Sequence, residues 1–153
     1  MKALIFVTII SAALSCSKSN SLQRLEYFAF GTAYGRCAAN CANFFMVKDE
    51  KVYADDMSRF NNNQELVFKS TPMSAEKYLL AKQLLESFPD VLKNNPNKTV
   101  GCPDCHDQGR VYIEYKINGE KKFWNIDPDP SAQPAEIRDY IQKLRSTVTD
   151  LER

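Results

Sequence analysis

The stretch Arg110-Val111-Tyr112-Ile113-Glu114-Tyr115-Lys116-Ile117-Asn118-Gly119-Glu120-Lys121-Lys122-Phe123-Trp124-Asn125-Ile126 decides the fold of this 153-residue chain. Val111, Ile113, Tyr115 and Ile117 recur at every second place, the period of a strand with one buried face. Asn118-Gly119 follows. That dipeptide suits a type I′ turn, in which both central residues need positive φ. A two-residue turn there sets the register, with Ile113 facing Trp124 and Val111 facing Ile126, and so builds a hydrophobic face on an antiparallel hairpin. Asp127-Pro128-Asp129-Pro130 stops the second strand, since proline cannot donate to a ladder.

Downstream, Pro134 suits the first turn of a helix. Ile137, Tyr140, Ile141, Leu144, Val148 and Leu151 then form one apolar stripe at helical spacing. Upstream lies a second helical pattern. Ser74 suits the N-cap and Glu76 the positive end. Leu80, Leu84 and Phe88 recur at i, i+4 and i+8, with Ala81 and Leu85 beside them. Pro89 ends or bends that helix. Asn94-Asn95-Pro96-Asn97 is a turn-rich linker.

The remainder reads as strands. Arg24 to Phe30 is one, ending at Gly31. Gly31 to Cys41 is a loop. Asn43 to Val47 and Lys51 to Ala54 flank the polar turn Lys48-Asp49-Glu50 as a hairpin. Asp55 to Gln64 is polar and reads as a loop; Glu65 to Lys69 is a short strand. The order is ββββ-α-ββ-α, and short connections between strands imply antiparallel pairing. The expected fold class is α+β, a single antiparallel β-sheet of about six strands with two helices packed on one face. The aromatic residues Tyr27, Phe28, Phe30, Phe44, Phe45 and Trp124, at strand spacing, belong to its core. No repeat or boundary divides residues 23–153, which form one α+β domain.

The first residues have a different character. Lys2 precedes an apolar stretch from Ala3 to Ile10 and the small-residue run Ser11-Ala12-Ala13-Leu14-Ser15. Cys16 comes next, followed by the polar run Ser17-Lys18-Ser19-Asn20-Ser21. This is the layout of a short secretory signal. It falls short of the roughly 20 apolar residues that a spanning helix needs. With a cysteine at the cut it resembles a bacterial lipoprotein signal. That resemblance implies removal of residues 1–15, lipidation of Cys16, attachment to a membrane through that lipid, and a tether over residues 16–22. An ordinary cut after Ala13 is the competing expectation.

Charge narrows the partners. The chain has 20 Lys and Arg against 19 Asp and Glu, and loss of residues 1–15 would remove Lys2 and no acid. A neutral balance leaves no electrostatic footprint for nucleic acid. Five cysteines in an exported chain leave one odd thiol. Lipidation of Cys16 would account for it, leaving Cys37, Cys41, Cys102 and Cys105 in an oxidising compartment. Two structural disulfides are the expected use. Four cysteines allow three connectivities. Local pairs would contribute about 2 kcal/mol each, and cross-pairs closing loops of about 65 residues roughly 4 kcal/mol each, before strain. The short spacings lean towards local pairs.

Three chemical uses of the same cysteines compete with that reading. Cys102-Pro103-Asp104-Cys105-His106 matches the c-type haem attachment pattern, in which two thioethers and an axial histidine hold the cofactor. Cys102 and Cys105 are also spaced as a thiol–disulfide exchanger. Such a site needs a helix N-terminus or a nearby cation, whereas Asp104 and Asp107 raise a thiol's pKa. Cys37, Cys41, Cys102 and Cys105 together make a four-thiolate zinc set. Asp55-Asp56 and Asp127 with Asp129 lack the alternating ligands of a calcium loop and read as solvated turns. No phosphate loop or nucleophile elbow occurs. The sequence therefore assigns no catalytic, cofactor-binding or metal-binding residue.

Phe30-Gly31-Thr32-Ala33-Tyr34-Gly35-Arg36-Cys37-Ala38-Ala39-Asn40-Cys41, and later Cys102-Pro103-Asp104-Cys105 leading into Val111 to Tyr115, resemble small uncharacterised envelope lipoproteins of Bacteroidota-type bacteria. The resemblance covers most of the chain after the signal and implies a location in the bacterial cell envelope, facing the periplasm or the cell surface. The resulting expectation is a non-enzymatic binding or interaction module. The alternative is a redox or electron-transfer protein that uses Cys102, Cys105 and His106.

Overall fold

Asn118 and Gly119 adopt φ of 52° and 81°, the geometry that a type I′ turn requires. The strands they join, β5 (Arg110–Ile117) and β6 (Glu120–Ile126), pair antiparallel with Ile113 opposite Trp124 and Val111 opposite Ile126. All four of those side chains are fully buried. This computed structural model describes residues 24–61 and 64–153; the expected signal (residues 1–15), Cys16 and the tether through residue 22 lie outside them.

On the other side of β5 lies β1 (Leu25–Ala33), antiparallel, and the chain then meanders outward through β2 (Ala42–Lys48) and β3 (Lys51–Ala54). Asp49 and Glu50 turn between β2 and β3 with φ of 48° and 56°. Beyond β6 comes β4 (Lys98–Val100), so the order across the sheet is β3-β2-β1-β5-β6-β4.

Helix α1 (Ala75–Glu86) starts where Ser74 accepts a hydrogen bond from the Lys77 N–H at 3.4 Å. It stops before Pro89, which opens the single turn α2 (Asp90–Lys93). A short 3₁₀ turn, Pro130–Ala132, precedes α3 (Ala135–Glu152). Every member of the α3 stripe from Ile137 to Leu151 is buried. The long helices cover one face of the sheet, and Phe88 is the hub between the layers. Its ring lies edge-on to Phe28, Tyr115, Trp124 and Tyr140, at centroid distances of 5.9, 5.7, 5.1 and 5.6 Å, the arrangement that ring quadrupoles favour. Trp124 also donates its indole N–H to the Asn95 carbonyl at 2.8 Å, tying the linker to the core.

The α+β class stands, with a mixed sheet of six strands. Four details depart from the sequence expectation. First, the sheet is not wholly antiparallel: β4 runs parallel to β6. The loop 101–109 carries the chain past β6 to begin β5, so β4 and β6 both run opposite to β5. Second, Glu65 to Lys69 makes no strand. It contributes one bridge, Phe68 to Asp55, and the segment as far as Met73 lies along the outer edge of β3 through single bonds such as Lys69 N–H to Ala54 and Met73 N–H to Val52. Pro72 has no N–H with which to continue a ladder. Third, β1 runs through Gly31 to Ala33. A side chain at Gly31 would strike the Asn43 carbonyl and Phe44, so this glycine permits close approach of β2 and does not end the strand. Fourth, Leu80 is exposed, because the buried residues of α1 are Ala81 and Leu84, followed by Phe88 just beyond the helix.

The opposite face of the sheet is also covered in part. Ala33, Ala42, Phe44 and Tyr112 form a second cluster with Phe60 from the segment after β3, and Met57, Leu66 and Phe68 pack against it. Phe44 therefore belongs to this smaller cluster, while Phe28, Phe30, Phe45 and Trp124 are in the main core.

Phe88 joins both helices to the sheet, so its truncation should be costly. Phe88→Ala is expected to lower stability by about 3–5 kcal/mol, read as a fall in the midpoint of denaturant unfolding. A loss below 1 kcal/mol would contradict this packing.

Candidate functional site

The four cysteines form two local disulfides, Cys37–Cys41 and Cys102–Cys105, with Cα separations of 5.7 and 5.6 Å. Cross-pairing, open on sequence grounds, does not occur. The two loops meet at one end of the sheet because Ala33, the last residue of β1, pairs with Arg110, the first of β5. Tyr34 packs so closely on Gly109 that a Cβ there would strike its ring. Arg110 donates to the Asp104 carboxylate at 3.0 Å, and little of either side chain is exposed.

The second loop is held from inside by Asp127, which is only 4% exposed. Its carboxylate accepts the N–H of Cys102 at 3.0 Å and that of Asp129 at 2.9 Å. Gln108 donates to the Cys102 carbonyl at 2.9 Å and accepts the His106 N–H at 2.7 Å. Cys102, Cys105 and His106 are all exposed. The imidazole of His106 makes no hydrogen bond or ion pair among the described residues. No helix begins at this disulfide, and Asp104 and Asp107 flank it. A helix N-terminus, one feature that stabilises a thiolate, is thus missing here, and the nearby cations Arg110 and Arg36 lie against Asp104 and Asp107.

The first loop shapes a cavity. Cys41 is buried, and its N–H donates to the Ser58 carbonyl at 2.8 Å. Arg59 donates to the Cys37 carbonyl at 3.3 Å. The Cys37–Cys41 loop is thereby fastened to the segment that follows β3. Asp55 fastens the same segment to β2: its carboxylate accepts the N–H groups of Phe44 and, at 2.9 Å, Met57. Between this segment and the facing ends of α1 and α3 lies a cleft of about 640 Å³, within the range of small-molecule sites.

Charges of both signs line that cleft. Asp55, Asp56 and Glu152 stand with Lys69 and Lys77 around a wall that includes Met57 and Met73. Lys77 donates to the Leu151 carbonyl at 2.6 Å, satisfying one of the last acceptors of α3. Among the described residues, no ion pair joins these acids to these lysines. Burial raises the Asp55 carboxyl above its ordinary value, outweighing the two N–H donors that lower it. Burial also raises the Glu152 carboxyl, and the neighbouring Asp55 charge adds to that rise.

A second polar cluster lies on the face away from the helices. Glu114, 4% exposed, accepts the hydroxyls of Tyr27 and Tyr112 at 2.6 and 2.7 Å and lies 3.4 Å from the Lys121 ammonium. Burial, reinforced by the Glu114 charge, pushes both phenols well above their usual range. They stay protonated as donors, and the carboxylate is satisfied.

The two aspartate pairs are engaged by the backbone. Asp55 and Asp127 spend their oxygens on backbone N–H groups, and Asp129 accepts from the Ser131 N–H at 2.8 Å. Among the described residues no three His, Cys, Asp or Glu side chains converge to hold a metal ion, and no helix is long and apolar enough to cross a membrane. Sequence reasoning missed Lys69, Lys77 and Glu152 as site residues; they come from three separated segments and share no local pattern. Comparison with protein-family models, curated proteins and solved structures gives no match.

Asp127 and His106 should respond differently to substitution. Asp127→Ala strands the Cys102 and Asp129 N–H groups and is expected to cost roughly 1–3 kcal/mol. His106→Ala should leave stability unchanged to within about 0.5 kcal/mol. Thermal or denaturant unfolding of the two variants beside the wild type checks both; equal effects would contradict the loop geometry.

Proposed function

We propose that the chain is a lipid-tethered, non-enzymatic binding domain of the bacterial cell envelope, anchored through Cys16 and holding its ligand in the cleft beside the Cys37–Cys41 loop. The observation that carries this reading is the cysteine pairing. Two local disulfides take Cys37, Cys41, Cys102 and Cys105 and leave Cys16 as the one cysteine of the five for lipidation. Disulfides in a small domain also suit an oxidising compartment. The cleft supports the binding half of the reading, since ligand sites are concave and bring a few polar groups together.

The redox alternative has one observation in its favour, the exposure of Cys102 and Cys105 beside His106. The acidic neighbours and the lack of a helix N-terminus weigh against it. A disulfide and a pair of haem thioethers also use the same two sulfurs, so the two states exclude one another.

One or two acyl chains decide how firmly a protein holds a membrane, and a diacylated or triacylated cysteine meets the condition for stable anchoring. Cys16→Ala should therefore shift the protein from the membrane to the soluble fraction, or block its processing. A variant that is processed and still membrane-bound would defeat the anchor. Thiol labelling of the denatured, unreduced protein should find none of the other four cysteines free, and the protein should be colourless after expression in a host that matures cytochromes c. Free thiols would favour exchange or metal binding; a haem spectrum would overturn the reading.

A further inference from the structure

We propose that the tether holds the tip of the β5–β6 hairpin next to the bilayer and turns the cleft and both disulfide loops away from it, so that the cleft opens to solution and not to the lipids of its own membrane. The inference rests on the reading of the chain as anchored through Cys16, and it adds which end of the domain meets the lipid.

The chain enters the sheet at the hairpin tip. Arg24 donates its N–H to the Asn118 side-chain oxygen at 3.1 Å, and its carbonyl accepts the Asn118 N–H at 3.2 Å. Two residues on, the Glu26 carboxylate accepts the Gly119 N–H. The point where the tether joins the domain is thereby fixed beside Asn118 and Gly119. Asn118, Gly119 and Glu120 are exposed, and a side chain at Gly119 would meet nothing within 4 Å. This end is free to approach a flat surface.

The cleft and the disulfides lie at the other end. β1 runs from Leu25 to Ala33, and Ala33 pairs with Ala42 on one side and Arg110 on the other. The Cys37–Cys41 and 101–109 loops adjoin these residues, and Asn40, Asn43 and Ser58 of the cleft stand with them. The nine residues of β1 cover roughly 30 Å at a strand's rise, and the loops extend further.

Chain length decides which end can touch the membrane. Cys16 and Arg24 are eight positions apart. Eight residues reach at most about 26–29 Å when fully extended, and a coil of that length averages about half of it. A domain standing on its disulfide loops would carry Arg24 roughly 30 Å or more above the lipid surface. The tether is too short for that. Nor does either face of the sheet give a reason to lie flat, since binding along a membrane surface needs a broad apolar face or a basic one. The exposed Leu79 and Leu80 are on α1, whereas the exposed Phe123 stacks on Tyr112 on the opposite side of the sheet. The charges of the chain, 20 basic and 19 acidic, nearly balance.

The test is paramagnetic relaxation, measured by NMR on the full mature lipoprotein in phospholipid nanodiscs that carry a gadolinium chelate on a fraction of their headgroups. The amides of Asp49, Glu50, Asn118, Gly119 and Glu120 should lose their signals, and those of Ala38, Cys105 and His106 should keep them. A Cys16→Ala chain made without residues 1–15 should keep all of them. Lengthening the tether about threefold with glycine and serine should erase the contrast, because the longer chain can reach past the whole domain. Loss of signal at the disulfide loops, or equal loss at both ends, in a wild type that stays on the disc would overturn the orientation and leave the anchor standing. A contrast that survives the longer tether would overturn the tether as its cause. A wild type that leaves the disc and loses no signal would remove the anchor, and this orientation with it.

Discussion

The rest of the structure depends on the register of β5 against β6. Side chains alternate across a sheet, so a slip of β5 by one residue against β6 would send Val111 and Ile113 to the face without helices. It would also turn Arg110, Tyr112 and Glu114 towards the apolar surfaces of α1 and α3. The Asn118-Gly119 turn prevents this through local backbone geometry alone. Once the hairpin is set, β1 can add to β5 only with Phe28 and Phe30 facing the helices. That second register brings Ala33 to Arg110 and places the two disulfide loops next to one another. The site geometry thus follows from a constraint some distance away in sequence.

The two faces of the sheet divide the work between them. The helix face carries the large aromatic and aliphatic core, centred on Phe88. The other face carries a small cluster and a satisfied carboxylate, Glu114. Burying a carboxylate is expensive unless its lone pairs are taken up, and here two tyrosine hydroxyls and a lysine do so. The disulfides act on a smaller scale. Each closes a ring of only a few residues, so its stabilisation is modest beside the core. Their effect is on shape: Cys37–Cys41 holds the wall of the cleft through Ser58 and Arg59, and Cys102–Cys105 closes a loop that Asp127 grips from inside.

The parts of the fold that could be read from sequence are those with a strong local period. The β5–β6 pairing, the hairpin of β2 and β3 and the α3 stripe repeat at two or 3.6 residues over several turns or pairs, and Ser74 adds a cap signal of a single residue. Short elements were hidden. β4 has three residues and draws its partner from across a loop, a relation that no local pattern encodes. Glu65 to Lys69 has the composition of a strand but meets Pro72 before a ladder can form. Leu80 misled because Leu79, Leu80, Leu84 and Leu85 offer two adjacent apolar lines, and the sheet selects the one that includes Ala81. The cleft was the least visible feature. Asp55 stood out, but as one of a polar pair in a turn, and only the fold sets it beside Glu152 and Lys69.

The distribution of reactive groups bears on what kind of protein this is. Acid–base and nucleophilic chemistry needs groups that are placed together and still free to exchange protons. The buried acids here are committed elsewhere: Glu114 to two phenols and a lysine, Asp127 to backbone N–H groups, Asp104 to Arg110. The phenols of Tyr27 and Tyr112 are fixed as donors. His106, the single imidazole, touches no hydroxyl or thiol among the described residues. The cleft gathers charges of both signs, amides and methionine side chains around one open cavity. Those groups attract, orient and exclude, which are the elements of recognition. This distribution is the physical support for the proposed reading as a binding domain.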